Sequence, residues 1–280
     1  MVSIFPAAPP GLYPTPADPL VSVDFNGWWT RSFRLLKVYW RHAALLQLVW
    51  VIPLIVGGAI SATLLLGPFQ DLIDTPQGAE PDWHPFVRML YVVVPLGLVA
   101  AVLTLIVSLA TYHLVVQAAL AHPLSVGLAL RTAARRAPAY VGWGLLGILT
   151  TLVGFVFCFL PGYYVAAVLT VLPVVVLLER DFAVRRCFRL FHARTGDSVA
   201  RVATIIGLGI GIGILEQILF GLLGASLGIF GDGEPRPWVI VALSVLAAVF
   251  NGASQVALAP FRVTAYADMR ARNEPFTTPR

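Results

Sequence analysis

The sequence predicts an all-α polytopic membrane helix bundle. It would have six transmembrane helices and three cytoplasmic interfacial amphipathic helices, built as three repeats of an amphipathic helix plus a hairpin. Three observations lead there. The 280 residues are 58% hydrophobic and 12% charged, with a mean hydropathy of +0.83, whereas soluble chains carry roughly 25% charged residues. Charge-free runs long enough to cross a bilayer recur along the chain. Finally, the cations collect on one side of those runs. Such a composition excludes a soluble domain and a disordered chain, and two cysteines exclude a disulfide scaffold.

The first twenty residues hold six prolines and read as a disordered, cytoplasmic, proline-rich tail. Residues 21–274 form the membrane domain, and 275–280 a short C-terminal tail. A membrane helix needs about 20 apolar residues. Between Arg41 and Asp71 stand 29 residues without a charge, which gives a span over Ala43–Leu66. Between Arg88 and Arg131 stand 42, of which Met89–Leu120 is continuously apolar. Another 42 separate Arg136 from Glu179, twice what the ~30 Å hydrocarbon core requires. Pro161-Gly162 in their middle predicts a hairpin of Pro138–Leu160 and Tyr163–Leu178. Val202–Phe230, interrupted by Glu216 and Gln217, gives the fifth span and Trp238–Pro260 the sixth.

Charge sidedness tests this count. With both termini cytoplasmic, 17 of the 19 basic residues face inward, all but Arg88 and Arg236, as the positive-inside rule expects. The outer loops hold Asp71, Asp74, Glu80, Asp82, Asp232 and Glu234. The net charge of +5 is therefore a membrane signature and no sign of nucleic-acid binding. It points to a bacterial plasma membrane with anionic lipids as partners. A homo-oligomer or a protein partner is compatible with the same surface.

A basic amphipathic segment precedes each pair of spans. In the first, Phe25, Trp28, Trp29, Phe33, Leu36 and Trp40 alternate at helical spacing with Arg31, Arg34, Lys37 and Arg41. The second carries Arg131, Arg135 and Arg136, the third Arg185, Arg186 and Arg189. Helices of this kind lie in the headgroup plane with their cations toward phosphate. Ser22 and Ser125 are placed as N-caps of the first two. Arg270 and Arg272, in the last basic run, belong to the same lipid-facing set. That run also reads as an ion-paired helix end, since Asp268 and Arg272 are four apart, or as a dock for a cytosolic partner.

Three stretches carry a resemblance: PLSVGLALRTAARR, LERDFAVRRCFRLFHARTGDSVARV and APFRVTAYADMRARNE. The chain resembles the membrane domain found fused to bacterial glycerophosphodiester phosphodiesterases and alone in actinobacterial membrane proteins. Tyr266, Asp268, Arg270, Arg272 and Glu274 fall where that family has such residues, while Cys187 and Phe188 stand where it has serine and tryptophan. The resemblance covers about residues 20–274. It implies fold and topology, not phosphodiesterase activity, because no catalytic barrel fits in this length.

Within the spans the polar set is Glu216, Gln217, Asn251, Ser254 and Gln255. Glu216 lies near the middle of the fifth span, where a charge costs at least ~2.5–3.5 kcal/mol, so it is expected to face the bundle interior. Either it titrates in a polar cavity, or a protonated carboxyl bonds Asn251 or Gln255 and glues two helices. Gly207 and Gly211, like Gly224 and Gly228, sit four apart, the spacing for close helix packing, homodimerisation or a flexible gating helix. Pro53, Pro95 and Pro173 are candidate kinks.

No histidine pair has metal-site spacing, and the chain shows no phosphate loop, dinucleotide fingerprint or nucleophile elbow. Neither a metal nor a cofactor is implied. The leading reading is a non-enzymatic module that engages lipid or a partner. The alternative is a small transporter or lipid-translocating protein centred on Glu216. A membrane-embedded enzyme comes third, with only the amides, Ser254 and Tyr112 to work with. A cysteine placed beside Asp74 should react with an impermeant thiol reagent on intact cells and one beside Arg135 should not; the reverse would overturn the topology.

Overall fold

The computed structural model describes residues 20–22, 24–73, 83–227 and 237–273. The proline-rich tail at 1–19, the acids Asp74, Glu80, Asp82, Asp232 and Glu234, and Gly228, Arg236 and Glu274 lie outside them.

Every regular element among the described residues is helical: α1 (Phe25–Ile73), α2 (His84–Ala119), α3 (Val126–Phe157), α4 (Phe159–Val168), a 3₁₀ turn (Leu169–Val171), α5 (Leu172–Leu178), α6 (Ala183–His192), α7 (Thr195–Ser226) and α8 (Pro237–Asn273). Six stretches are long and apolar enough to cross a membrane, with Phe159–Leu178 counted as one. The expected fold class and number of spans are both found.

The amphipathic segments differ from expectation. The first two are not separate helices: the basic residues of α1 and α3 run without interruption into the apolar part of the same helix. The physical reason is local. Nothing between Trp28 and Ala43 breaks a helix, and Pro138 is accommodated inside α3. Only the third segment forms its own helix, α6, and it does not stand alone on a surface. It packs against α5, the 3₁₀ turn, α4 and α3, and the Tyr164 hydroxyl meets His192 Nε2 at 2.6 Å.

The α3–α4 reversal comes at Cys158, whose extended backbone (φ −174°, ψ 154°) interrupts the helix. Pro161 and Gly162 fall inside the first turn of α4, where a missing N–H costs no hydrogen bond. Gly162 matters for another reason. A Cβ on Gly154 would stand 3.0 Å from the Gly162 backbone, and one on Gly162 would enter the Phe155 ring at 2.4 Å. The two helices meet backbone to backbone. The fourth apolar segment is then broken by the 3₁₀ turn, and Pro173 opens α5 immediately after it.

The described residues divide into two compact units. One comprises residues up to Leu46, Ile106–Gly211 and Ser254 onward; the other comprises Gln47–Leu105 and Ile212–Ala253. In the first unit, α1 buries Trp28, Ser32, Leu35, Tyr39, Ala43 and Leu46, a stripe at three- and four-residue steps. It lies along α8: Ser32 and Thr264 share a hydroxyl bond of 2.8 Å, Trp28 meets Phe261 edge-on, and the Tyr39 hydroxyl donates to the Val256 carbonyl. In the second unit, Trp50 Nε1 donates to Gln47, whose side chain lies over Gly252.

Ser125 caps α3 as expected, its hydroxyl accepting from Leu128 N–H. The turn before it contains Ala121 at φ 53° and is held by Gln117 Oε1, which accepts from Ser125 N–H at 2.9 Å. Ser22 is not the cap of α1. That role falls to Asp24, whose carboxylate accepts from Gly27 N–H at 3.0 Å. The tight Gly154–Gly162 contact predicts that Gly154→Val lowers the melting temperature in detergent by the equivalent of about 1–3 kcal/mol, the usual cost of overpacking. Gly142→Ala, where a Cβ meets nothing within 4 Å, should cost little.

Candidate functional site

Charged residues concentrate at the last three turns of α8, in the first unit, and their arrangement follows from helical spacing. Tyr266 and Arg270 are four apart and share a face. Asp268 and Arg272, also four apart, point elsewhere. One face meets Glu179, just after α5. The Arg186 guanidinium grips that carboxylate through Nε at 2.7 Å and Nη2 at 3.2 Å. The Tyr266 hydroxyl donates to the same Glu179, and Arg270 stands 3.9 Å away. Two-pronged guanidinium–carboxylate contact is the strong form of such a bond.

The second face meets the start of α7. Asp268 is 1% exposed and Arg201 3%, and Arg201 Nε stands 2.9 Å from Asp268 Oδ2, an ion pair at contact distance. The other carboxylate oxygen accepts from Ser22 N–H at 2.6 Å. Arg201 also donates to the Asp197 carbonyl and lies over the Trp28 ring at 6.0 Å. One turn further along, Arg272 pairs with Asp197. The helical pair Asp268–Arg272 suggested by spacing therefore gives way to partners on α7. Each of these two α8 side chains reaches a residue more than seventy or nearly seventy positions earlier in the chain.

This network sorts the cations expected to face lipid. Arg186 is buried, and Arg270 and Arg272 are mostly covered; all three are held by carboxylates. They serve the fold and are not displayed to headgroups. Arg34, Lys37, Arg41, Arg131, Arg135, Arg185 and Arg189 are exposed, while Arg31 and Arg136 are half-buried. The aromatic face of α1 is split likewise. Trp28 is fully buried, whereas Phe25, Phe33 and Trp40 are exposed.

Cys187 sits within the network on α6. Burial first, then the neighbouring Glu179 carboxylate, pushes its thiol up to about 12. It is a neutral packing group, not a nucleophile. Cys158, at the α3–α4 reversal, is exposed.

The intramembrane polar set is divided between the two units. Glu216 and Gln217, on α7, and Asn251, on α8, belong to the second unit; Ser254 and Gln255 belong to the first. Glu216 is half-buried and makes no hydrogen bond or ion pair among the described residues. Gln217 and Asn251 are exposed. Asn251, Ser254 and Gln255 each take part in at least one polar or electrostatic interaction.

The glycine pairs fare similarly. A Cβ at Gly207 or Gly211 would meet nothing within 4 Å among the described residues, so these two mark no close packing there. Gly224 is buried. No cluster of three or more potential metal ligands occurs among the described residues.

Sequence reasoning missed the pairing of Glu179, Asp197 and Asp268 with arginines because the partners are remote along the chain. A usable signal existed: three acids stand inside segments otherwise crowded with arginine. Comparison of the chain with protein-family models, with curated proteins and with solved structures gives no match.

Removing one member of a buried pair strands a charge. Asp268→Ala should therefore destabilise the detergent-solubilised protein by about 3–5 kcal/mol, whereas Asp268→Leu combined with Arg201→Met should recover much of that loss. Thermal unfolding of the three variants measures it.

Proposed function

We propose that the protein is a multi-pass plasma-membrane module with no catalytic machinery of its own, engaging anionic phospholipid through a basic cytoplasmic face. One observation carries the reading. Three carboxylates of the basic segments, Glu179, Asp197 and Asp268, are paired with arginines. The cations of α1, α3 and α6 that remain exposed outnumber the nearby exposed acids, Asp24 and Asp181.

A surface on which exposed cations outnumber exposed acids, beside apolar helices, matches the electrostatics of an anionic leaflet. The sidedness of the basic residues supports placing that surface on the cytoplasmic side. The resemblance to the phosphodiesterase-linked membrane domain agrees with a module that works in the membrane and leaves chemistry to another polypeptide. Exposed aromatic residues such as Phe33 and Trp40 suit an interface where rings sit at headgroup level.

Native mass spectrometry of the solubilised protein tests this. Phosphatidylglycerol should be retained over phosphatidylcholine, and the preference should weaken with added salt. Replacing Arg131, Arg135 and Arg185 with glutamine should cost about 1 kcal/mol per cation removed. Equal retention of the two lipids, insensitive to salt and to these substitutions, would contradict the proposal.

A further inference from the structure

The first unit contains a cleft of about 290 Å³ between α3, the broken α4–α5 segment, α7 and α8. Leu172, Pro173, Ile205 and Leu258 supply apolar wall, and Tyr140, Thr170 and Arg262 supply its polar groups. No carboxylate lines it. Arg262 is unlike the other arginines of α8. Arg270 and Arg272 contact acids, but among the described residues no carboxylate pairs with Arg262.

Among the described residues its one hydrogen bond runs from Nη1 to the Tyr112 hydroxyl at 2.6 Å, which orients the guanidinium without neutralising it. Its Nε is buried and has no acceptor. A guanidinium carries five N–H donors, and a buried donor without an acceptor is costly. The cleft thus presents a fixed, incompletely satisfied cation at the edge of an apolar slot.

Sequence position sets the depth of the two ends. Arg262 stands two residues beyond the apolar run Trp238–Pro260, and Tyr140 two residues into Pro138–Leu160. Both belong at headgroup level. Leu172, Pro173 and Ile205 line the cleft and lie within apolar runs, at depths where acyl chain is expected.

We propose that this cleft is a binding site for one anionic phospholipid, its phosphate on Arg262 beside the Tyr140 hydroxyl and part of one acyl chain along the apolar wall. The inference rests on the lipid-engaging reading above but names a different place. Surface cations hold a diffuse, salt-sensitive population of lipid; the cleft holds one molecule through a desolvated charge, which salt screens much less. A guanidinium suits a phosphate because its planar N–H groups can meet two oxygens together. A free anion would leave the apolar slot unfilled, and a lipid without a phosphate, such as a diacylglycerol, would leave Arg262 without a counter-charge.

Native mass spectrometry at elevated salt, with short-chain phosphatidylglycerol, short-chain diacylglycerol and inorganic phosphate as separate probes, decides the matter. One phosphatidylglycerol should bind saturably, and roughly tenfold or more tightly than either other probe. Arg262→Gln should abolish that preference. Gly209→Leu should abolish it too, because a bulky side chain at this lining position fills the slot without touching the guanidinium. Should Arg262→Gln fail to fold, Gly209→Leu decides alone.

Retained binding in a folded Gly209→Leu variant would overturn the proposal. So would inorganic phosphate binding as tightly as the phospholipid. The Arg131, Arg135 and Arg185 substitutions separate the two claims. If they remove the salt-sensitive lipid while Gly209→Leu changes nothing, the surface reading stands and the cleft site fails. If they change nothing while Gly209→Leu removes the bound lipid, the surface reading fails and the cleft site stands.

Discussion

The Arg201–Asp268 ion pair is the constraint around which the first unit is organised. Both side chains are almost fully covered, and charges so placed hold the fold together only when each has its partner. The pair therefore dictates which turn of α8 faces the start of α7. With that register set, Arg272 falls against Asp197 and Tyr266 against Glu179. Ser22 N–H then closes the carboxylate from the segment before α1, while Trp28 and Phe261 pack edge-on next to it. Chain segments far apart in sequence are joined by a handful of charged groups.

That organisation has a functional consequence. A membrane protein rich in arginine must either neutralise each cation or present it to water or headgroups. Here Glu179, Asp197 and Asp268 neutralise a defined subset, leaving the exposed cations of α1, α3 and α6 as a basic surface. Arg262 belongs to neither group: it is oriented by a tyrosine hydroxyl and lines a cleft without an acid. The distinction between arginines paired with carboxylates, exposed arginines and Arg262 is what the structure adds to a simple count of basic residues.

The spans were legible in the sequence because bilayer thickness imposes a length and hydropathy rule that acts locally along the chain. Helix continuity was less legible. Interfacial and spanning segments were separated on paper by the change from basic to apolar composition, yet the hydrogen-bond ladder of α1 and α3 ignores composition when no residue breaks it. The α3–α4 reversal was placed at Pro161-Gly162, three residues late, because proline is tolerated in a first helical turn. For the charged network, the residue types were visible but not their partners. Spacing along one helix suggested Asp268–Arg272, and tertiary packing preferred Arg201 and Asp197. Glu216, the most conspicuous residue in the sequence, has no hydrogen bond or ion pair among the described residues.

Hydrogen exchange of the Asp268→Asn variant tests the central claim most directly. If the buried pair organises the unit, protection should fall together at 20–28, 179–190 and 197–204 as well as in the last turns of α8. Loss confined to residues beside 268, with the other three segments as protected as in the parent protein, would contradict the account.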